Sequence, residues 1–212
     1  MKAKNLIIII LLLTISKVNA QKTPTTTLTI NDVYTSNTIV YYGLDFSNFR
    51  LIEPSRINEG ADIRDVQFPA WNSFVLNVIP MSKMEKWFKK TSVVYSPIAV
   101  TIANSKVLDA DVVARLPFKS EMTDIQKTIA GYQKPTNLNN KIGMVVMVEY
   151  FQKNPREASA YVIFFDTSNG AIIESKNVIT KNFDGNGLTN YWGEACQNFI
   201  KEYFDKTYSK GL

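Results

Sequence analysis

The chain has 212 residues, 45% of them hydrophobic, with 24 Lys and Arg against 19 Asp and Glu. It contains no histidine and a single cysteine, Cys196. That excludes an intrachain disulfide, Ser-His-Asp and Cys-His catalysis, His-ligated zinc and imidazole proton shuttling.

Residues 1–20 read as a cleavable export signal. Lys2 and Lys4 form a short positive region, Leu6 to Ile15 an apolar run, and Val18 to Ala20 the cleavage region. The apolar run is shorter than the roughly 20 residues a spanning helix needs. Gln21 rather than a cysteine follows the cleavage point, which argues against a lipid anchor. Removing Lys2, Lys4 and Lys17 leaves 21 basic against 19 acidic residues, a net of +2 on a mature chain of 192 residues. Bases and acids are mixed along it, so no nucleic-acid footprint is expected, and no later segment approaches a membrane span. The densest basic run, Lys86 to Lys90, reads as the wet face of a helix.

Residues 21–35 are polar and Thr-rich and read as a flexible lead, with residues 36–212 as one globular domain. Thr38 to Phe46 has the β-branched and aromatic content of a strand. Ser47 and Asn48 suit a tight turn, with Phe49 to Ile52 returning as a second short strand. Phe68, Trp71, Phe74, Val75, Val78 and Ile79 recur at helical spacing, between Pro69 at a first turn and Pro80 at the end. Ser82 and Glu85 form a capping box for a second helix that buries Met84, Trp87 and Phe88. Short strands are expected at Ser92 to Tyr95 and near Ile98 to Ile102, and a short helix near Asp109 to Leu116. A helix over Ser120 to Tyr132 carries Met122, Ile125 and Ile129 on one face, and Pro135 to Asn140 is a loop.

The last third has the clearest pattern. Ile142 to Phe151, Ala158 to Asp166 and Ala171 to Ile179 form a three-strand antiparallel meander, with Thr167 to Gly170 as a hairpin turn. Leu188 to Tyr208 follows as a helix with Leu188, Trp192, Ala195, Cys196, Phe199 and Tyr203 on its apolar stripe. The expected fold is α+β, a mixed and mostly antiparallel sheet with helices packed on it.

Candidate chemistry is sparse. Asn182 to Gly187 (NFDGNG) has part of a calcium-loop pattern, yet Gly193 occupies the twelfth position, where a bidentate carboxylate is needed, and Glu194 misses it by one. The simpler reading is a turn into the last helix. Cys196 sits on an apolar stripe and reads as core. Asp45, Asp65, Glu149, Asp166 and Glu174 are the acids available for a carboxylate pair. Asp166 reads as a hairpin residue, and Glu149 and Glu174 as solvent-face strand residues. Neither S-x-x-K in the mature chain, G-x-S-x-G, G-x-G-x-x-G nor a Walker loop occurs. Tyr41, Tyr42, Phe46, Trp87, Tyr191 and Trp192 would line a groove if they are not core. No cofactor or metal is expected.

Tyr42-Gly43-Leu44-Asp45-Phe46-Ser47, Phe165-Asp166 to Gly170, and Gly185-Asn186-Gly187 with Asn190-Tyr191-Trp192 together resemble a family of uncharacterised exported proteins of Gram-negative bacteria. Its segments are Y-G-x-D-[FY]-S and G-x-G-x-x-N-Y-W. The helix-plus-meander order is also similar to the TolB N-terminal domain at the level of fold. The resemblance implies a periplasmic or envelope-associated protein and carries no activity.

Three functions remain open. The first is a non-enzymatic envelope module that binds a macromolecule, an envelope protein partner or a second copy of itself, with Asp45, Asn190 and Trp192 as the binding residues if they share a surface. The second is a small-ligand or glycan-binding module. The third is a hydrolase using paired carboxylates.

Overall fold

In a computed structural model, residues 25–52, 62–116, 119–132, 141–181 and 183–211 are described. The export signal and the loop at Pro135 to Asn140 lie outside them. The elements in chain order are α1 (Ile30–Thr35), β1 (Thr38–Asp45), β2 (Arg50–Ile52), a π-turn (Ile63–Gln67) continuous with α2 (Phe68–Val78), and α3 (Met81–Phe88). They continue with β3 (Ser92–Tyr95), α4 (Ile98–Ser105), α5 (Asp109–Val112), β4 (Val113–Ala114), α6 (Met122–Ala130), β5 (Ile142–Gln152), β6 (Glu157–Asp166), β7 (Ile172–Thr180) and α7 (Gly187–Lys206).

The architecture is α+β, as expected, and β5, β6 and β7 form the antiparallel meander. The sheet as a whole is not mostly antiparallel. Of the six strand pairings among the described residues, β1–β3, β1–β5, β2–β4 and β2–β5 are parallel. The physical reason is two-sided burial. The strands present apolar residues on both faces, so helices must cover both, and parallel strands joined by helical crossovers achieve that. On one face Ile39, Tyr41, Met144, Val146, Val162 and Phe164 pack under α2, α3 and α7. On the other, Val40, Tyr42, Val145, Met147, Ile163 and Phe165 pack under α4 and α6.

Phe49 to Ile52 does not return against β1 as a hairpin. Asp45 is level with Met147 of β5 and Arg50 with Tyr150, so β1 and β2 lie along the same edge of β5 with Phe46 to Phe49 bulging between them. Both bulge aromatics point into the core. Phe46 stacks on Phe68 at 4.3 Å, and Phe49 meets Phe151 edge-on at 5.0 Å. Burying those rings anchors the turn under α2 in place of a reversal.

Ile98 to Ile102 is also not a strand. It is the start of α4, with Pro97 at the N-cap and Ala99, Val100 and Asn104 buried. Tertiary packing overrides the β-branched content. The helix near Asp109 stops at Val112, and Val113–Ala114 instead pairs with β2. α3 begins at Met81, one residue before the expected cap, and Glu85 accepts the Val93 N–H at 3.1 Å. A capping box occurs at α1, inside the segment expected to be a lead, where the Thr29 N–H and hydroxyl both donate to Asp32.

Lys86 and Lys89 are exposed, but Lys90 is buried at 6% exposure. The left-handed residue Lys89 (φ 51°) ends α3 and turns Lys90 inward. Its ammonium donates to the carbonyls of Val33, Tyr34 and Ser36 at 2.6–2.8 Å. These include carbonyls left open where α1 ends. Burial pushes this group down to about 8.

Candidate functional site

The carboxyl end of β1 runs past its neighbour. β3 pairs only as far as Tyr41–Tyr95, so the backbone of Leu44 to Phe46 needs other partners. Two asparagines supply them. Asn72 on α2 accepts the Leu44 N–H at 2.8 Å and donates to the Leu44 and Phe68 carbonyls. Asn104 on α4 accepts the Phe46 N–H at 2.6 Å and donates to the Leu44 carbonyl at 3.0 Å.

Between β1 and β3 the chain runs through β2 and then α2 and α3 on one face, and from β3 it passes to α4 on the other. Neighbouring parallel strands whose connections diverge in this way open a crevice at their carboxyl ends. Here the crevice is a cavity of about 360 Å³, lined by Phe68, Asn72 and Ser73 on one side and Tyr95, Thr101, Asn104 and Ser105 on the other. The side-chain hydroxyls of Ser73, Tyr95 and Thr101 make no hydrogen bond among the described residues. The charges in the lining, Arg64 and Asp65, are paired at 2.6 Å, and Arg64 also bridges to Asp109. The crevice is therefore electrically quiet, with an apolar lining, Pro69, Pro97 and Val100 included, set with a few polar groups.

A larger cavity of about 690 Å³ lies on the other side of α4. Ala99, Ile102, Ala103 and Lys106 form the α4 wall, Asp124, Lys127, Thr128 and Gly131 the α6 wall, and Ser47, Asn48 and Tyr132 the end. Behind Tyr132 sits Asp45, fully buried, accepting the Tyr132 hydroxyl and, at 2.7 Å, the Ser47 N–H. Burial pushes the Asp45 carboxyl up, and the hydrogen bonds from Ser47 and Tyr132 pull the other way.

Asp45, Asn190 and Trp192 do not share a surface. Asp45 is buried on the α4/α6 side of the sheet. Trp192 is buried on the opposite side, stacked on Phe151 at 4.6 Å. Asn190 is exposed and donates to the Asn186 carbonyl one turn back. The buried acids have separate donor sets. Glu149, expected to face solvent, is 1% exposed and holds the Ser120 N–H, the Ser159 hydroxyl and the Asn177 amide. Asp166 holds Thr26 and its own hairpin through Ser168. Glu174 accepts the Tyr203 hydroxyl.

Asp184 to Gly187 leads into α7, and Glu194 accepts the Asp184 N–H at 2.6 Å. Asn182 lies outside the described residues. Among those described, no group of three or more acids and cysteines is placed to hold a metal. Cys196 is fully buried, and burial pushes its thiol up, away from a reactive thiolate. Tyr41, Tyr42 and Phe46 belong to the core, and Trp87 stacks on Phe204. The residues that do line the crevice had one legible signal, an asparagine interrupting each of two apolar helical runs, Asn72 in FPAWNSFV and Asn104 in IAVTIANS.

No family model and no curated protein matches the chain. Among solved structures it is similar to the lipoprotein GNA1162 from Neisseria meningitidis, at 11% identity and a TM-score of 0.33 over 81% of this chain and 99% of that one. It is also similar to an uncharacterised protein whose crystal structure is known, at 10% identity and a TM-score of 0.27 over 84% of this chain and 94% of that one. Among the described residues no helix is long and apolar enough to cross a membrane.

Proposed function

We propose that this is an exported, non-enzymatic binding module of the bacterial envelope that holds a small, neutral, hydroxyl-rich ligand of the glycan class. The supporting observation is the crevice between β1 and β3. It is of the size that small ligands occupy. It offers three hydroxyls without a partner among the described residues and the half-buried ring of Tyr95, while Asn72 and Asn104 are committed to the β1 backbone and hold the crevice open. Its charges are already neutralised, so it favours an uncharged ligand. The export reading rests on Lys2, Lys4 and the apolar run that follows them.

The test is thermal unfolding with a panel of neutral mono- and disaccharides. A ligand at 100 times its Kd stabilises by about 2.7 kcal/mol. Thr101→Trp, which fills the crevice from an exposed position on α4, should abolish the shift without lowering the midpoint of the free protein. A panel in which no saccharide raises the midpoint refutes this reading.

A second reading, assembly with an envelope protein or another copy of the chain, is favoured by the exposed apolar side chains Ile98, Leu108 and Leu116, each at least 65% exposed. These lie on and just beyond α4 and α5. Native electrophoresis of the solubilised envelope separates the two readings. A discrete large complex lost in Leu108→Ser/Leu116→Ser supports assembly, and a free monomer refutes it.

A further inference from the structure

We infer that the larger cavity, on the far side of α4, is a second binding site, one that takes a small zwitterion bearing an ammonium and a carboxylate, of the amino-acid or short-peptide class. Its volume of about 690 Å³ accommodates such a molecule. Each wall carries one charge of each sign, Lys106 and Asp111 on the α4–α5 side and Asp124 and Lys127 on α6.

None of these four side chains makes a hydrogen bond or an ion pair among the described residues. Other exposed charges are mixed: Arg64 pairs with Asp65 and Asp109, Lys181 with Glu157 and Lys206 with Glu202, while Lys86 and Lys89 make no ion pair among the described residues; these four differ in that they line one cavity. Four unmatched charges that sum to zero around one cavity suit a ligand that is itself neutral overall and carries both signs. A purely anionic or purely cationic ligand meets as much repulsion as attraction. Between the charges the wall is apolar, with Ala99, Ile102 and Ala103 at helical spacing, and this strip fits an aliphatic side chain. The Tyr132 hydroxyl is committed to Asp45, so Tyr132 offers a ring face, beside the Asn48 amide and the Ser47 hydroxyl, which has no partner among the described residues.

The charges are exposed, and binding should weaken as salt rises. This site is separated by α4 from the crevice proposed for a neutral ligand, so either can fail without the other.

The experiment is amide NMR titration of the protein with L-leucine, N-acetyl-leucine and leucine methyl ester. L-leucine should shift signals of Ala99, Ile102, Ala103, Thr128 and Gly131 saturably. The acetylated and esterified forms, each lacking one charge, should bind at least ~10-fold more weakly, the factor that one lost charge pair of about 1.4 kcal/mol corresponds to. Asp124→Asn and Lys127→Gln replace exposed side chains, leave the fold intact, and should each weaken L-leucine by a similar factor while Thr101→Trp leaves it unchanged. Equal binding of leucine and its N-acetyl form, shifts confined to the Tyr95 and Asn104 side of α4, or no saturable shift with any of the three, overturns the proposal.

Discussion

Tyr41 and Tyr132 are both buried tyrosines, yet removing the same oxygen from each should move stability in opposite directions. Tyr41 is 1% exposed, and its hydroxyl is buried with no hydrogen-bond partner among the described residues. Leaving such a group dry costs about 1–3 kcal/mol. Tyr41→Phe keeps the ring and removes the unpaired oxygen, so it should stabilise the protein by about 1–2 kcal/mol. Tyr132 donates its hydroxyl to the fully buried Asp45 carboxylate, whose other donor is the Ser47 N–H. Hydrogen bonds to charged groups are worth about 1.5–3 kcal/mol, and here a buried charge is also left short of a partner. Tyr132→Phe should therefore destabilise by about 2–4 kcal/mol at neutral pH. With a urea m-value near 2 kcal/mol/M, the unfolding midpoint should rise by roughly 0.5–1 M in the first variant and fall by roughly 1–2 M in the second. Removing the charge from the second variant, as Tyr132→Phe/Asp45→Asn, should recover part of the loss, because no buried anion then remains. A lowered midpoint in Tyr41→Phe would show that its hydroxyl is bonded after all, and a neutral Tyr132→Phe would refute the role given to the Asp45 pair.

Three further outcomes follow from the same geometry. Burial raises the Asp45 carboxyl above its ordinary value of 3.8, so the folded state holds that proton longer than the unfolded chain does. The stability it confers is greatest below 3.8 and is lost as pH rises through the folded value, so Asp45→Asn should gain on the parent as pH rises above 3.8 in urea titrations; a constant difference would contradict it. Asn104→Leu strips the Phe46 N–H and one bond to the Leu44 carbonyl, and should cost about 2–4 kcal/mol and speed exchange of the Phe46 amide, read by native-state hydrogen exchange. Gly43 has φ +100°, and a Cβ there would stand 2.7 Å from Asn72 Oδ1, so Gly43→Ala should cost about 1–3 kcal/mol and lower the Tm by roughly 3–10 °C.

The parts of the fold that were legible are those in which local pattern and long-range packing agree. Ile142 to Ile179 reads as a meander because two runs of continuous apolar character are followed by the Thr167 to Gly170 turn and a third strand, and β5, β6 and β7 pair as expected. The C-terminal helix is legible because its stripe, Trp192, Ala195, Cys196, Phe199 and Tyr203, is the face it buries. The parallel half is another matter. Nothing local in Thr38 to Ile52 reveals that β1 and β2 share one edge of a strand a hundred residues away, because that pairing is set by where Phe46 and Phe49 find aromatic partners. Lys90 shows the same limit: Lys86 and Lys89 are as wet as their composition suggests, and the left-handed Lys89 buries the next lysine beneath carbonyls of a helix sixty residues earlier.

The site was hidden by one misread element. Taken as a strand, Ile98 to Ile102 presents Ile98, Val100 and Ile102 on one side, an apolar edge with nothing to bind. Wound as α4, the same residues separate into two rows at helical spacing. Val100, Thr101, Asn104 and Ser105 face the crevice, and Ala99, Ile102, Ala103 and Lys106 face the larger cavity. A single helix of eight residues is thus the wall between two chambers of different chemistry, one with its charges paired, the other holding four charges that make no ion pair among the described residues. The difference lies in side chains that point apart, while the backbone of α4 is held to β1 by Asn104. Substitutions on one row should therefore act on one chamber alone, and loss of Asn104, which releases the wall itself, should disturb both. Equal impairment of both ligand classes by Thr101→Trp would show that α4 moves as a unit and that the two chambers are not independent.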